Sequence, residues 1–172
     1  VAIESYLPLS LFFDNDEHNK RTMATTTSLT YGQTWMEYHN VRQATFLTEW
    51  EKYLTTQQGQ YRGISMAEFF RDSVKRGYDN LQLVCEALTD RLKSGESVVL
   101  EVQGFASKRA SGPYNKALTS RRISSVKNHF ADWGGTAQNR YGPLKQYIDS
   151  KKLTFQEVPN GESTSLETDD YE

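Results

Sequence analysis

The sequence has few of the cysteines that cross-link a small domain and none of the long apolar runs that form a membrane helix. It contains one cysteine, Cys85, among 172 residues, which excludes an internal disulfide and a thiolate metal cluster. The longest apolar runs, such as Leu11 to Phe13 and Val98 to Leu100, are far shorter than the roughly 20 residues of a membrane helix. We therefore expect no membrane-spanning segment in this chain.

The chain also lacks an excess of either charge. It has 20 Lys and Arg residues against 22 Asp and Glu residues, a formal net charge of −2. Because a near-neutral domain has no electrostatic footprint for coating nucleic acid, we expect no nucleic-acid partner. The length suits a single domain over residues 1–172 with its own core. The start at Val1, without a signal-type segment, indicates a piece of a longer polypeptide.

Catalytic motifs are missing from the sequence as well. It has no P-loop, no dinucleotide-binding glycine fingerprint, no nucleophile elbow and no zinc-binding helix motif. The three histidines, His18, His39 and His129, are widely separated, and we interpret them as solvated or hydrogen-bonded side chains. We therefore predict a protein that is not an enzyme and that holds neither cofactor nor metal.

Hydrophobic periodicity predicts both strands and helices. Alternating apolar residues predict strands over 7–13, 97–103 and 153–158. Helical spacing predicts helices over 31–54, 66–93, 113–133 and 143–148. Residues 17–30 are polar and rich in threonine, which predicts an irregular loop, and residues 162–172 are acidic, which predicts a loose segment.

The first predicted helix carries an aromatic stripe. Its six aromatic residues fall within about 120° of one another at about 100° per residue, and they are Tyr31, Trp35, Tyr38, Phe46, Trp50 and Tyr53. The favoured interpretation is a packing face, and the alternative is a platform on which a ligand stacks. Cys85, in the apolar stripe of the next helix, is expected to be an inert core thiol.

Arg122 is the residue that an ordinary packing pattern explains least. Helical spacing places it on the inward stripe of the helix that follows Gly112, whereas Arg121 points about 100° away. A guanidinium in that place needs an anion or a set of carbonyls to receive its donors. With Asn115 near the helix start, it predicts a carboxylate-binding corner; the alternative is an arginine that ties the loop 104–112 to the sheet through carbonyls.

Two stretches of the sequence carry a family resemblance. Residues 102–107 read VQGFAS and residues 114–126 read YNKALTSRRISSV. They resemble the signature of OmpA-like C-terminal domains, in which a strand ends in Gly-His-Thr-Asp and is followed by Asn and then by Leu-Ser-x-x-Arg-Ala-x-x-Val on a helix. In this register the family's Asp falls at Ser107, its Asn at Asn115 and its Arg at Arg122. Residues 9–16 also resemble the family's first strand.

The resemblance implies an α/β (α+β) fold, a βαβαβ module with a mixed sheet packed on helices, here with a helical insertion over about 17–71. It implies non-catalytic binding of peptidoglycan through the diaminopimelate of the stem peptide, whose amine meets the Asp and whose carboxylate meets the Arg. The implied ligand-binding residues are Phe105, Ala106, Ser107, Asn115, Arg122, Asp14 and Asp16. The Gly-aromatic-Ala-Ser variant, the Phe-Asp-Asn-Asp turn and the helical insertion resemble the OmpA-like domains of envelope lipoproteins of the type IX secretion system. This implies a periplasmic location, an upstream lipid anchor in the outer membrane, and other envelope or secretion proteins as partners.

The chain departs from the family pattern at two points. Ser107 replaces the acidic residue, which deprives the ligand ammonium of an ion partner worth about 2 to 5 kcal/mol; Asp14 or Asp16 is the candidate replacement. The family's closing Asn-Arg-Arg-Val-Glu strand is absent from this sequence, so either the sheet has one strand fewer or the boundary of the sequence cuts the strand off. Ser107 and the aromatic helix 31–54 favour a second hypothesis, a protein-interaction module of a secretion machine that has lost peptidoglycan binding.

Overall fold

The structure is a computed structural model that describes residues 3–14, 18–45, 48, 66–106 and 111–159. Within them the fold is of mixed α+β type, with helices around a small sheet. The chain begins with a 3₁₀ turn at Ile3–Tyr6. The helices are α1 at Tyr31–Met36 with a π-helical continuation at Glu37–Arg42, α2 at Met66–Phe69 with a π-helical continuation at Phe70–Lys75, α3 at Arg76–Lys93, α4 at Gly112–Asp132 and α5 at Lys145–Asp149. The strands are β1 at Val98–Gly104 and β2 at Leu153–Pro159.

The two strands are parallel neighbours, with Val98 opposite Leu153 and Gly104 opposite Pro159. Parallel strands need a long crossover connection, which α4 and α5 supply, and α4 contacts both strands. One face of β1 packs on the core while Val99 on the other face is exposed. The predicted strands over 97–103 and 153–158 are therefore confirmed, and so are the helices predicted over 113–133 and 143–148, to within two residues at each end.

Helix α3 forms the centre of the hydrophobic core. Its buried residues repeat at helical spacing, as the sequence predicts, and they include Leu81, Val84, Cys85, Leu88 and Leu92. Cys85 is a core residue, and burial raises the pKa of its thiol. None of the described helices combines the length and the apolar character that a bilayer crossing requires.

The strand predicted over 7–13 is wrong, because these residues form no regular element. The carbonyl oxygen of Ser10 lies against Gly77 of α3, so closely that a Cβ there would come within 2.4 Å of it. The main-chain N–H and C=O of Phe12 both bond to the Tyr31 hydroxyl, each at 3.2 Å. The Tyr31 hydroxyl thus satisfies the Phe12 backbone in place of a neighbouring strand, and the Ser10 carbonyl packs against the helix. The alternating apolar side chains still pack against the core, namely Leu9, Leu11 and Phe13.

The described part of the aromatic stripe is a packing face. Tyr31 and Tyr38 are completely buried, and Trp35 is stacked on Tyr78 of α3 with 4.0 Å between ring centroids. Trp35 also donates its indole N–H to the carbonyl oxygen of Val74. The ring stacking and the hydrogen bond together hold the first helix against the core. The remaining stripe residues, Phe46, Trp50 and Tyr53, lie outside the described residues, as does the acidic segment 162–172.

Candidate functional site

The start of α4 sets the position of every candidate residue on that helix. Ser111 is the N-cap, and its Oγ accepts a hydrogen bond from the Tyr114 N–H at 3.4 Å. Pro113 occupies the first turn, where its missing N–H costs nothing. Asn115 follows one turn into the helix and is buried, with its N–H bonded to the Ser111 carbonyl. The helix therefore begins where the sequence predicts.

The end of β1 comes very close to α4. At Gly104 an added Cβ would lie 2.9 Å from both the Cβ and the carbonyl oxygen of Thr119, so a glycine is required for this approach. The chain then passes through Phe105, which is 43% exposed, and Ala106, which is buried. Ser107 lies outside the described residues. The close approach places Phe105 beside the second and third turns of α4.

Arg122 lies at the corner that this approach creates, and its side chain is half-buried. Its Nη1 donates to the Phe105 carbonyl at 3.0 Å, at the protein surface, and its Nη2 donates to the Asp14 carbonyl at 3.2 Å. The guanidinium also lies over the Phe13 ring, 5.1 Å from its centroid. We call Phe13, Asp14, Phe105 and Arg122 the Arg122 site. It joins three segments that are distant in the sequence. Both bonds of the guanidinium go to main-chain carbonyls, as in the alternative that the sequence left open, an arginine that ties the loop 104–112 to its surroundings.

The Asp14 side chain of the Arg122 site has a charged partner from the first helix. Asp14 is 5% exposed, and its Oδ2 lies 3.4 Å from the Nε of Arg42, whose side chain is 40% exposed. Arg42 ends the π-helical continuation of α1, within the segment interpreted as an insertion. Asp16 lies outside the described residues. Asp14 therefore contacts two arginines, Arg42 through its carboxylate and Arg122 through its main-chain carbonyl.

Arg121, the neighbour of Arg122 on α4, has contacts that the apolar stripe of the helix does not predict. Helical spacing suggests that it points away from the inward stripe, but it is completely buried. Its Nε donates to the His18 carbonyl at 3.1 Å, and its Nη1 donates to the carbonyls of Thr22 and Ala24 at 2.7 Å each. Arg121 is buried because residues 18–29, which we call the covering segment, lie on a second face of α4.

The covering segment is held mainly through its backbone. The Tyr114 hydroxyl accepts from the Arg21 N–H at 3.0 Å. Asn128 Nδ2 donates to the carbonyls of Thr27 and Leu29 at 2.8 and 2.9 Å. The covering segment is irregular, as the sequence predicts. A polar row on α4 seven residues apart, Tyr114, Arg121 and Asn128, is the signal that sequence reasoning overlooked.

The three histidines lie in different surroundings. His129 is buried against the rings of Tyr31 and Tyr78, and burial lowers its pKa to about 4, with the Asp132 carboxylate opposing that shift. His18 is buried beside Phe13, and His39 is stacked on Trp35. Among the described residues, no three His, Cys, Asp or Glu side chains are grouped as metal ligands would be.

No family model, no curated protein and no solved structure matches this chain. The chemistry of the site is therefore inferred from its own residues. At the Arg122 site, a half-buried arginine lies beside an exposed aromatic residue, Phe105. Guanidinium groups bind carboxylates through paired, charge-assisted hydrogen bonds. The arrangement suits recognition of a carboxylate at the surface, whereas the buried Arg121 serves to hold the covering segment.

Proposed function

We propose that this chain is an OmpA-like module that binds peptidoglycan without catalysis, through the diaminopimelate carboxylate of the stem peptide. One observation carries the proposal: the half-buried Arg122 is held at a corner between the carbonyls of Phe105 and Asp14. The residues that the OmpA-like resemblance singles out come from both sides of this corner. A guanidinium oriented in advance loses less rotamer entropy when it binds a carboxylate.

The order of elements around the corner also supports the proposal. A strand ends at Gly104, and the helix that begins at Gly112 carries Asn115 and, about two turns further on, Arg122. This is the order that the OmpA-like signature requires, with Asn and Arg in the expected register. The finer βαβαβ architecture, with the mixed sheet and the insertion over 17–71, belongs to the same proposal, as does the single domain over 1–172.

The proposed place of action follows from the ligand. Peptidoglycan lies in the periplasm, and the module would anchor an envelope or secretion complex to the wall. The resemblance to envelope lipoproteins of the type IX secretion system adds a tether to the outer membrane through an upstream lipid anchor. Other envelope or secretion proteins would then be the partners of the complete polypeptide.

The test is co-sedimentation of the chain with purified diaminopimelate-type peptidoglycan. Arg122→Ala should lower the bound fraction about tenfold or more, because it removes the charged partner of the ligand carboxylate. Arg140→Ala is the matched control. Arg140 is an exposed arginine paired with Asp132 at the end of α4, and Asp132 lies about 15 Å along the helix from Arg122 at 1.5 Å per residue. Circular dichroism verifies that both variants fold.

Two results would refute the proposal. Wild-type protein that stays in the supernatant excludes wall binding by this chain. Equal sedimentation of wild type and folded Arg122→Ala excludes the Arg122 site. Walls with lysine at the third stem position serve as a ligand control, because they lack the second carboxylate of diaminopimelate and should capture less protein.

A second candidate function is a protein-interaction module that has lost peptidoglycan binding. The observation that favours it is the pair of exposed apolar side chains on the first helix, Met36 at 56% and Val41 at 58% exposure. In that case no wall binding is seen, and Met36→Asp with Val41→Asp abolishes capture of a secretion-system partner. If both changes leave partner capture intact, this surface is not the interface.

A further inference from the structure

The covering segment exposes its side chains while its main chain is fixed to α4. Met23 is 59% exposed, and its neighbours Thr22 and Ala24 are exposed as well. The completely buried Arg121 donates through its Nη1 to the carbonyls of Thr22 and Ala24, at 2.7 Å each. One guanidinium therefore fixes the main chain on both sides of a single exposed apolar side chain.

The fold also sets the conformation of the residues before Met23. Asn19 and Arg21 have left-handed main chains, with φ of 57° and 59°, a conformation that costs free energy at an arginine. The Arg21 N–H donates to the Tyr114 hydroxyl at 3.0 Å. The Thr22 Oγ1 donates to the Asn19 carbonyl at 2.9 Å. Because these contacts hold the strained residues in place, the segment presents Met23 in a conformation that is fixed in advance.

Cleavage by a serine protease depends on whether the chain on either side of the cleaved bond can separate. The protease takes one side chain into its primary pocket, and its serine Oγ attacks the carbonyl carbon of that residue. The attack forms an ester with the serine and breaks the bond to the next nitrogen, which receives the serine proton through the catalytic histidine. In a flexible substrate the freed amine leaves and water hydrolyses the ester. An amine that is held in place stays beside the ester and re-forms the peptide bond, because its effective concentration is high.

We propose that residues 22–24 are an inhibitory loop for a serine protease with an apolar primary pocket, which Met23 enters. After cleavage of the bond between Met23 and Ala24, Arg121 still holds the chain on both sides, so the new ends stay together and the bond re-forms. The loop binds tightly because its conformation is fixed before binding. The unbranched apolar side chain of methionine selects a hydrophobic pocket over one that carries an aspartate. The inference is independent of the proposed wall binding, which uses Arg122.

The probes are chymotrypsin and subtilisin, assayed with chromogenic peptide substrates in the presence of the full 172-residue chain. Wild type should inhibit at least one of them competitively. Met23→Asp should weaken that inhibition at least about thirtyfold, because it removes the central residue of the interface. Met23→Arg should transfer the inhibition to trypsin, whose pocket carries an aspartate. A merely structural role for Met23 does not predict this change of specificity.

Two further variants complete the experiment. Val99→Asp is the matched control, because Val99 is an exposed apolar residue of β1, at 66% exposure, and this variant should inhibit as wild type does. Arg121→Met should turn the inhibitor into a substrate. Mass spectrometry should then detect cleavage between Met23 and Ala24 at least about tenfold faster than in wild type.

Any one of four results would overturn the proposal. Wild type inhibits neither chymotrypsin nor subtilisin, Met23→Asp inhibits as well as wild type, Met23→Arg leaves trypsin fully active, or wild type is cleaved after Met23 as fast as Arg121→Met. If Arg121→Met does not fold, the two Met23 variants decide alone, since they change only an exposed side chain.

Discussion

Burial of His129 predicts a specific dependence of stability on pH. The imidazole is 7% exposed and is packed against Tyr31 and Tyr78, and its Nε2 has no hydrogen-bond partner among the described residues. The native structure therefore favours the neutral ring, and burial lowers the pKa from 6.5 to about 4. In the unfolded chain the ring is solvated and titrates at its ordinary pKa.

The sign and size of the effect follow from these two pKa values. Between pH 6.5 and about 4 the unfolded chain binds more protons than the native protein, so stability falls as the pH falls. The contribution is complete above pH 6.5 and is lost as the pH drops toward 4. At about 1.4 kcal/mol per pH unit, the full loss is about 3 kcal/mol. Between pH 7 and pH 5 the loss is about 2 kcal/mol.

The perturbation is His129→Phe, which retains an aromatic ring among Tyr31 and Tyr78 and removes the titrating group. Urea unfolding of wild type and variant is followed by circular dichroism at pH 7, 6 and 5. Other titrating groups are common to both proteins, so they cancel in the difference between the two unfolding free energies. That difference should move by about 2 kcal/mol in favour of the variant between pH 7 and pH 5.

Parallel loss of stability in the two proteins would refute the reasoning. It would mean that the native structure protonates His129 without cost, for instance by moving the ring toward Asp132. Nuclear magnetic resonance titration of the His129 ring protons provides an independent check. A native pKa at or above 6.5 contradicts the burial argument directly.

Three further substitutions test the fold around the site. Arg121→Met removes three hydrogen bonds to the covering segment, so it should lower the unfolding free energy by about 2 to 4 kcal/mol; unchanged amide hydrogen exchange over residues 18–29 would contradict the assigned role. Tyr31→Phe leaves the N–H and C=O of Phe12 without their partner and should cost about 1 to 3 kcal/mol in urea unfolding, whereas wild-type stability would show that water replaces the hydroxyl. Gly104→Ala forces β1 away from Thr119, with an expected cost of about 1 to 3 kcal/mol; a melting temperature equal to that of wild type would exclude the close approach.

Secondary structure is predicted correctly from the sequence where the hydrophobic periodicity of a segment agrees with the residues that begin and end it. Strand β1 alternates, α4 has Ser111 and Pro113 at its start, and α3 repeats its apolar residues at helical spacing. The same rule fails for residues 7–13, whose alternation is real and is visible in the packing of Leu9 and Leu11. Alternation records which side chains face the core, but it does not record whether another strand is available to pair.

In the candidate site, too, some residues are predicted from the sequence and other contacts are seen only in the structure. Its positions Phe105, Asn115 and Arg122 follow from the sequence register, and the structure brings Phe105, Arg122 and Asp14 together. The pairing of Asp14 with Arg42 has no local signal, because the two residues come from different elements. Ser107 and Asp16 lie outside the described residues, so their roles stay predictions.

The sequence by itself determined the helices and strands that have strong periods, the near-neutral charge and the burial of the single cysteine. The tertiary structure decided which of two adjacent arginines is enclosed. A helical period identifies one apolar stripe on α4, whereas a second covered face requires a segment from elsewhere in the chain. That segment reaches Arg121 through hydrogen bonds between residues 97 to 103 positions apart. Such long-range partners accept three hydrogen bonds from a buried guanidinium whose burial the apolar stripe of α4 does not predict.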